Sequence, residues 1–549
     1  MLSHAHISFA DPSATLSPEA NPAWWFHRHA LCQPDRPALQ VNGLLYRYRD
    51  LLAHLLPIAQ TLQQQDPDPQ HPIVALFASR SLTAYAAVLA ILYAGKGYAA
   101  LNPLFPRERN RHILNLTDAS LLIADGSCAD QLAALLGQCE KSRLVLLPDH
   151  PSLPDWCHTL PQHRFLCQAE ILASPTLFSE PKEVVQQLAY LLFTSGSTGV
   201  PKGIAVPASS LNVFVSNMLH RYRPTCDDRF SQHSDLTFDA SVYDQFTCWA
   251  AGATLYSIPH SVRFAPASFI RQHALTFWES VPSVVHFMKR MHQLKADSFP
   301  SLRWSIFGGE RLTQETVHLW QQAAPNATID NSYGPTESTI CITGYIWHPG
   351  HSEAECQEGM VPIGLPYPGQ QVAILRDGVL HQEEEEVVGE LCLSGPQVET
   401  YYWRNAAETA RRYPLLTDQR GVQQRWYKTG DRVSWQKGIG LLYLDRMDRQ
   451  LKIRGYRVEL SEIEQLLQQL AQTDQVAVIG WSKPGSQVQS IVGFVVGSHC
   501  SNAELLSRCS ERLPPYMVPN ALHTLLELPR NANGKTDLQQ LAALLDGEG

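Results

Sequence analysis

The 549-residue chain is poor in charge: 17% of its residues are Asp, Glu, Lys or Arg, and 43 basic against 52 acidic residues leave a formal net charge of -9. It has no basic footprint for nucleic acid or for an anionic membrane. Long apolar runs are missing too. The longest helical-looking one, residues 85–94, is too short to span a bilayer and predicts a buried core helix. At the N-terminus histidines and early acidic residues stand where a signal peptide would have a basic and then an apolar region, so none is expected. The 12 cysteines show no CxxC or other ligand spacing, which predicts reduced thiols and a cytoplasmic protein. Among the 22 histidines, His4 with His6 and His27 with His29 form close pairs, yet no HExxH motif or convergent carboxylate accompanies them. No internal repeat or low-complexity segment is present.

What the chain does have is length and ordinary apolar content, 44%, so two or more globular domains are expected. Residues 1–20 are polar, with Pro12 and Pro18, and read as a disordered lead-in. From residue 21 short apolar strands (73–77, 121–124, 144–147) alternate with helical patterns such as 82–93, which predicts doubly wound α/β layers. The alternation repeats over 209–349 as a second sheet layer. Residues 362–445 change to short strands with turn signals such as Asp377-Gly378, a β-rich subdomain within a large domain of residues 21–447. Residues 448–549 form a small α+β domain. In it Ser461 and Glu464 make a capping box, followed by Ile463, Leu466, Leu467 and Leu470 at helical spacing.

The most informative stretch is LAYLLFTSGSTGVPKG, residues 188–203. An apolar strand breaks into Thr194, Ser195, Gly196, Ser197, Thr198 and Gly199 before reaching Lys202. Backbone N–H groups, hydroxyls and a terminal cation are what the oxygens of a triphosphate require. The pattern is not a Walker A loop, because Pro201 precedes Lys202 and Gly203 follows it. Residues 204–206 can return as a strand, which would put the loop at a hairpin tip.

This stretch resembles the signature of the adenylate-forming superfamily, which holds acyl-CoA synthetases, luciferases and the amino-acid-activating domains of nonribosomal peptide synthesis. In the order that family expects follow FDASVYD (238–244), NSYGPTES (331–338), GELCLSGP (389–396), YKTGDR (427–432), DRMDRQLKIRGYRVELSEIE (445–464) and PRNANGKTD (529–537). The resemblance runs from about residue 20 to about residue 545.

The resemblance implies a site. Its cofactors are ATP and Mg2+, with Glu337 holding the metal. Thr194, Lys202 and Lys535 are the implied catalytic residues, Lys535 reaching from the small domain to the substrate carboxylate. Around the nucleotide stand the loop residues Ser195–Gly199, Tyr333 stacking on adenine, Asn331 on its edge, Gly334 and Thr336, with Asp431 accepting the ribose hydroxyls beside Arg446. A hinge at Asp448 rotates the small domain between two half-reactions. In the second pose the loop 452–457 faces the site and admits the phosphopantetheine thiol of a carrier protein. Asp445 stands where the family prefers glycine, which puts the geometry before the hinge in question.

Asp239 matches the acid that pairs with the α-ammonium of an amino acid; a fatty-acyl substrate offers no such cation. Carried over position by position, the rest of the pocket is Ala240, Tyr243, Glu279, Ile306, Gly308, Ser332, Ile340 and Cys341. Glu279 either reads a basic or polar side chain, or is turned away or held by a neighbour such as Arg290. The chain stops twelve residues after Asp537, so the carrier is expected in trans. The resulting expectation is an enzyme that activates a small or medium polar or basic amino acid as aminoacyl-AMP and loads it on a separate carrier. The alternatives are an acyl- or aryl-CoA ligase, disfavoured by Asp239, and a non-catalytic nucleotide- or amino-acid-binding relative, disfavoured by Lys202, Glu337, Asp431 and Lys535 together.

Overall fold

The helix Leu82–Tyr93 carries apolar side chains on every side, is capped by Ser81 accepting from the Ala84 N–H, and is buried from Thr83 onward. A helix without a polar face belongs between layers. The computed structural model, which describes residues 16–173, 180–196, 201–263, 265–385, 387–482, 490–530 and 536–546, puts it there. On one side lie the strands Ile73–Phe77 and Gly97–Leu101. Across the helix, the Tyr85 hydroxyl donates to Ser257 at 2.8 Å, on a strand of the second sheet.

Among the described residues the first sheet has eight strands, in the order 401–402, 202–207, 188–194, 97–101, 73–77, 121–124, 144–147, 164–167. The pairs around Ile73–Phe77 are parallel. Both faces of these strands are covered, and that is why IVALF, LLIA and LVLL read as unbroken apolar runs. Leu188–Thr194 and Lys202–Pro207 are antiparallel, with Thr194 opposite Lys202, so the phosphate loop does close a hairpin. Gly97 stands beside it because a Cβ there would meet the Leu188 carbonyl oxygen at 2.8 Å. The second sheet has nine strands, with Phe277–Ser280, Trp304–Phe307 and Thr328–Tyr333 parallel at its centre. One apolar cluster joins the facing sides of both sheets and the helices between them, and a separate cluster covers each outer side.

A five-stranded antiparallel sheet spans Gln371–Arg376 to Gly440–Arg446. Asp445 sits in its last strand opposite Arg432, at negative φ and ion-paired with that arginine. The backbone before the hinge therefore needs no glycine. The C-terminal part holds a hairpin (Gln450–Ile453, Tyr456–Glu459), the helix Leu460–Ala471 and a three-stranded sheet. Here the expected capping box is absent. Ser461 lies inside the helix, and Glu464 accepts from Val478 N (2.8 Å) and from Arg449 (2.9 and 3.1 Å), because a longer-range partner competes successfully for its carboxylate. Among the described residues the 12 cysteines form no disulfide. Among the described residues no helix is long and apolar enough to cross a membrane.

Candidate active site

Asp239 opens the helix Asp239–Ala250, and Tyr243 follows one turn later on the same face. Glu279 and Ile306 are register partners on adjacent parallel strands, and Ser332 comes from the next strand. With Ala240, Gly308, Ile340 and Cys341 they line one cavity of about 760 Å³, so all nine sequence-expected pocket residues converge. Its wall is backbone-strained: Thr339 and Ile340 have φ of 59° and 74°. Gln397 holds that turn, accepting from Thr339 Oγ1 through its carbonyl (2.7 Å) and donating from Nε2 to the Cys341 carbonyl (2.8 Å). Gly334 lets the wall close, since a Cβ there would lie 2.4 Å from Cys341 Cα.

Two carboxylates of the cavity wall, Asp239 and Glu279, feel each other's charge. Burial raises the Asp239 pKa, against hydrogen bonds from the Thr336 hydroxyl and the Ala240 N–H that pull it down. Thr336 thus braces the amino-acid acid as well as standing in the nucleotide motif. Glu279, 8% exposed, is pushed up to about 8, first by burial and then by the charge of Asp239, with a Ser234 hydrogen bond opposing. Its Oε2 has no hydrogen-bond partner, and Arg290 is exposed and forms no ion pair with it. Glu279 lines the cavity, and the neighbour that holds it there is Ser234 and not Arg290.

Beside the cavity the described start of the glycine-rich loop, Ser195 and Gly196, meets the small domain. Ser195 Oγ donates to the Arg457 carbonyl (2.9 Å) and accepts from Glu459 N (3.2 Å). Gly196 N donates to Glu462 Oε2 at 3.3 Å, while Glu462 Oε1 pairs with Arg109 at 2.8 Å in a buried bridge. Lys202 Nζ lies 2.8 Å from Glu408, whose pKa is driven down to about 2: burial raises it, but the hydrogen bonds from Arg411 and Lys202 prevail. Glu337, 1% exposed, accepts from Arg457 Nη1 at 3.0 and 2.8 Å and from Tyr402 Oη at 2.8 Å. Burial works to raise its pKa, and Arg457 more than offsets this. Ser197, Thr198, Gly199 and Lys535 lie outside the described residues.

The nucleoside side is also internally paired. Tyr333 Oη donates to Asp431, Arg446 Nη1 lies 2.7 Å from the same carboxylate, and Lys452 Nζ stands 5.7 Å over the Tyr333 ring. Asn331 spends its amide N–H groups on the carbonyls of Val361 and Pro362 (3.2 and 2.8 Å), so only its oxygen is left for a ligand edge. Arg446 forks onto Asp448 with two 2.7 Å bonds, which ties the expected hinge residue to Asp431. The hairpin turn Arg454-Gly455 has positive φ at both residues, and Gly455 N donates to Glu310 at 2.7 Å while its Cα packs near Val281.

The AMP-binding enzyme model matches residues 26–403, and the AMP-binding enzyme C-terminal domain model matches 462–535. The chain belongs to the AMP-binding enzyme family. It is 31% identical over 530 residues to an L-proline--[L-prolyl-carrier protein] ligase of Pseudomonas fluorescens, covering 95% of this chain and 97% of that one. It is also 31% identical to surfactin synthase subunit 1 of Bacillus subtilis over 94% of its length, but spans only 13% of that protein. The crystal structure of the Vibrio cholerae adenylation domain AlmE in complex with glycyl-adenosine-5'-phosphate superposes with a TM-score of 0.84 at 31% identity, covering 96% of this chain and 98% of that one.

Within this AMP-binding fold several residues escaped the sequence reading. Arg109, Glu310, Gln397, Glu408 and Glu462 carry charges or amides that pair across 27 to 353 positions of sequence. Glu310, at the end of GGE after the strand Trp304–Phe307, had a sequence signal in its strand–glycine–acid pattern; the others had none.

Proposed function

We propose that the chain activates an amino acid with ATP and transfers it to the phosphopantetheine thiol of a carrier protein. The observation that carries this reading is Asp239 in the wall of a cavity that also reaches Arg454, Gly455 and Tyr456 of the small domain. An ammonium-reading acid at one part and an entrance between two domains at another suit an amino acid meeting a thiol arm.

In the first half-reaction the substrate carboxylate oxygen attacks the α-phosphorus, the bond from that phosphorus to the β-bridging oxygen breaks, and pyrophosphate leaves. Asp239 orients the substrate by its α-ammonium. Lys202 and, by family resemblance, Lys535 place positive charge where negative charge develops. Glu337 fits a magnesium ion once Arg457 is withdrawn, since a buried carboxylate then needs another cation; when bound, the ion would neutralise phosphate oxygens. In the second half-reaction the thiol sulfur attacks the acyl carbon, AMP leaves with the electron pair of the acyl–oxygen bond, and the thiol proton passes to solvent. The pose described here, with residues 452–457 over the site, suits that second step; rotation about Asp448 would free Glu337, Ser195 and Gly196 for ATP. An ATP-using enzyme loading a carrier belongs in the cytoplasm, and its substrate is a small or medium amino acid with a polar or basic side chain.

The test is amino-acid-dependent exchange of labelled pyrophosphate into ATP, followed by the mass shift of a phosphopantetheinylated carrier supplied in trans. Exchange with amino acids and aminoacylation of the carrier are expected. Exchange with fatty or aryl acids alone, with free coenzyme A as the better acceptor, would replace this reading with a coenzyme A ligase.

A further inference from the structure

Of the buried polar side-chain atoms that lack a hydrogen-bond partner among the described residues, two belong to residues lining the amino-acid cavity: Glu279 Oε2 and Tyr243 Oη. Both residues are more than nine-tenths buried, at 8% and 2% exposure. A buried polar group costs about 1–3 kcal/mol when left unpaired, so a pair of such groups facing one cavity implies a ligand that supplies the donors. Of the cations that line the cavity, Arg80 is committed to backbone, its Nη1 donating to the carbonyls of Gln232 and His233 at 3.2 and 2.9 Å.

Charge narrows the ligand further. Asp239 and Glu279 line the same cavity and repel each other. Behind them Asp244, next to Tyr243 on the helix, is 1% exposed, feels the charge of Glu279, and has an unpartnered Oδ1. A ligand with one ammonium settles one of the pair Asp239 and Glu279. A ligand with two settles both, and the second lies in the negative potential that Asp244 deepens.

We propose that the substrate is a diamino acid, with Asp239 holding the α-ammonium and Glu279 and Tyr243 holding the side-chain ammonium. This inference rests on the amino-acid adenylation reading above. Glu279 and Tyr243 are then specificity-determining residues, and Asp244 is a positioning residue that acts through Glu279. A primary ammonium has three N–H donors, enough to meet Glu279 Oε2 and Tyr243 Oη together.

The experiment compares pyrophosphate exchange with lysine, ornithine, 2,4-diaminobutyrate and 2,3-diaminopropionate against norleucine, norvaline, 2-aminobutyrate, alanine and glutamine. One diamino acid is expected to exceed its neutral counterpart in kcat/KM by on the order of 10²-fold or more, the scale on which a site with buried polar groups rejects an analogue that leaves them unpaired. Glu279→Gln should collapse that ratio to within a few-fold, and Tyr243→Phe, which removes only an oxygen, should lower it even if the Gln variant folds poorly. A neutral or amide side chain as the best substrate, or an unchanged ratio in both variants, would overturn the diamino assignment while leaving amino-acid adenylation standing. Exchange with fatty or aryl acids alone would instead overturn the adenylation reading itself.

Discussion

In the amino-acid cavity Glu279 Oε2 and Tyr243 Oη meet no protein partner, whereas a few residues away Lys202 rests on Glu408, Glu337 on Arg457, and Asp431 on Arg446 and Tyr333. The first region is a preformed mould whose polar groups wait for a ligand. In the second, the charges expected to meet a nucleotide are satisfied from within, Glu337 by Arg457 of the small domain, and Lys202 and Asp431 by Glu408, Arg446 and Tyr333. One region carries backbone strain and an unpartnered carboxylate oxygen; in the other, the proposed rotation about Asp448 would change the partner of Glu337.

The largest effect separates the two poses. Lys535→Ala should lower pyrophosphate exchange by on the order of 10²–10³-fold, the scale of a lost charge-stabilising group, while carrier loading from preformed aminoacyl-adenylate persists. Equal loss of both steps would mean that the lysine serves the fold or both half-reactions. Next, Arg457→Ala removes the cation from Glu337 and should slow carrier loading by roughly 10-fold to 10²-fold, since breaking a buried ion pair costs about 3–5 kcal/mol and rotation relieves part of it. Exchange should fall far less. A variant equally slow in both steps would contradict a pose-specific role.

The comparison is sharpest in stability, where the same Glu→Gln change should have opposite signs. At Glu337 it leaves Arg457 without its counter-charge, and the midpoint of denaturant unfolding should fall by about 1–3 kcal/mol. At Glu279 it should rise by roughly 1 kcal/mol or more at pH 8. The sign follows from the raised pKa of about 8: between an unfolded value near 4.5 and that folded value the native state binds more protons, so this residue costs stability as pH climbs through that window. The gain of Glu279→Gln should therefore vanish below pH 4.5. Two changes of the same sign would erase the distinction between the regions. The smallest effect concerns the small domain alone: Ser461→Ala should alter stability by less than about 0.5 kcal/mol, because Ser461 makes no cap. A loss near 1 kcal/mol would restore the capping box.

By itself the sequence determined the layered core and named the nine residues that line the cavity. Strands 73–77, 121–124 and 144–147 and helix 82–93 stand where their apolar runs put them, because elements buried on all sides carry an unambiguous local signal. The hairpin under the phosphate loop and the nine cavity residues followed from motif order. Only the tertiary structure decided how polar groups are spent. Glu464 goes to Val478 and Arg449 instead of its own helix end, the Asn331 amide goes to two carbonyls, Asp445 fits an ordinary strand, and Glu337 meets Arg457 120 positions away. A hydrogen bond or ion pair depends on which donor arrives within about 3 Å, and chain separation says nothing of that. The unpartnered Oε2 of Glu279 is of the same kind: a carboxylate is written in the sequence, but which of its oxygens lacks a partner is decided only once every neighbour has its place.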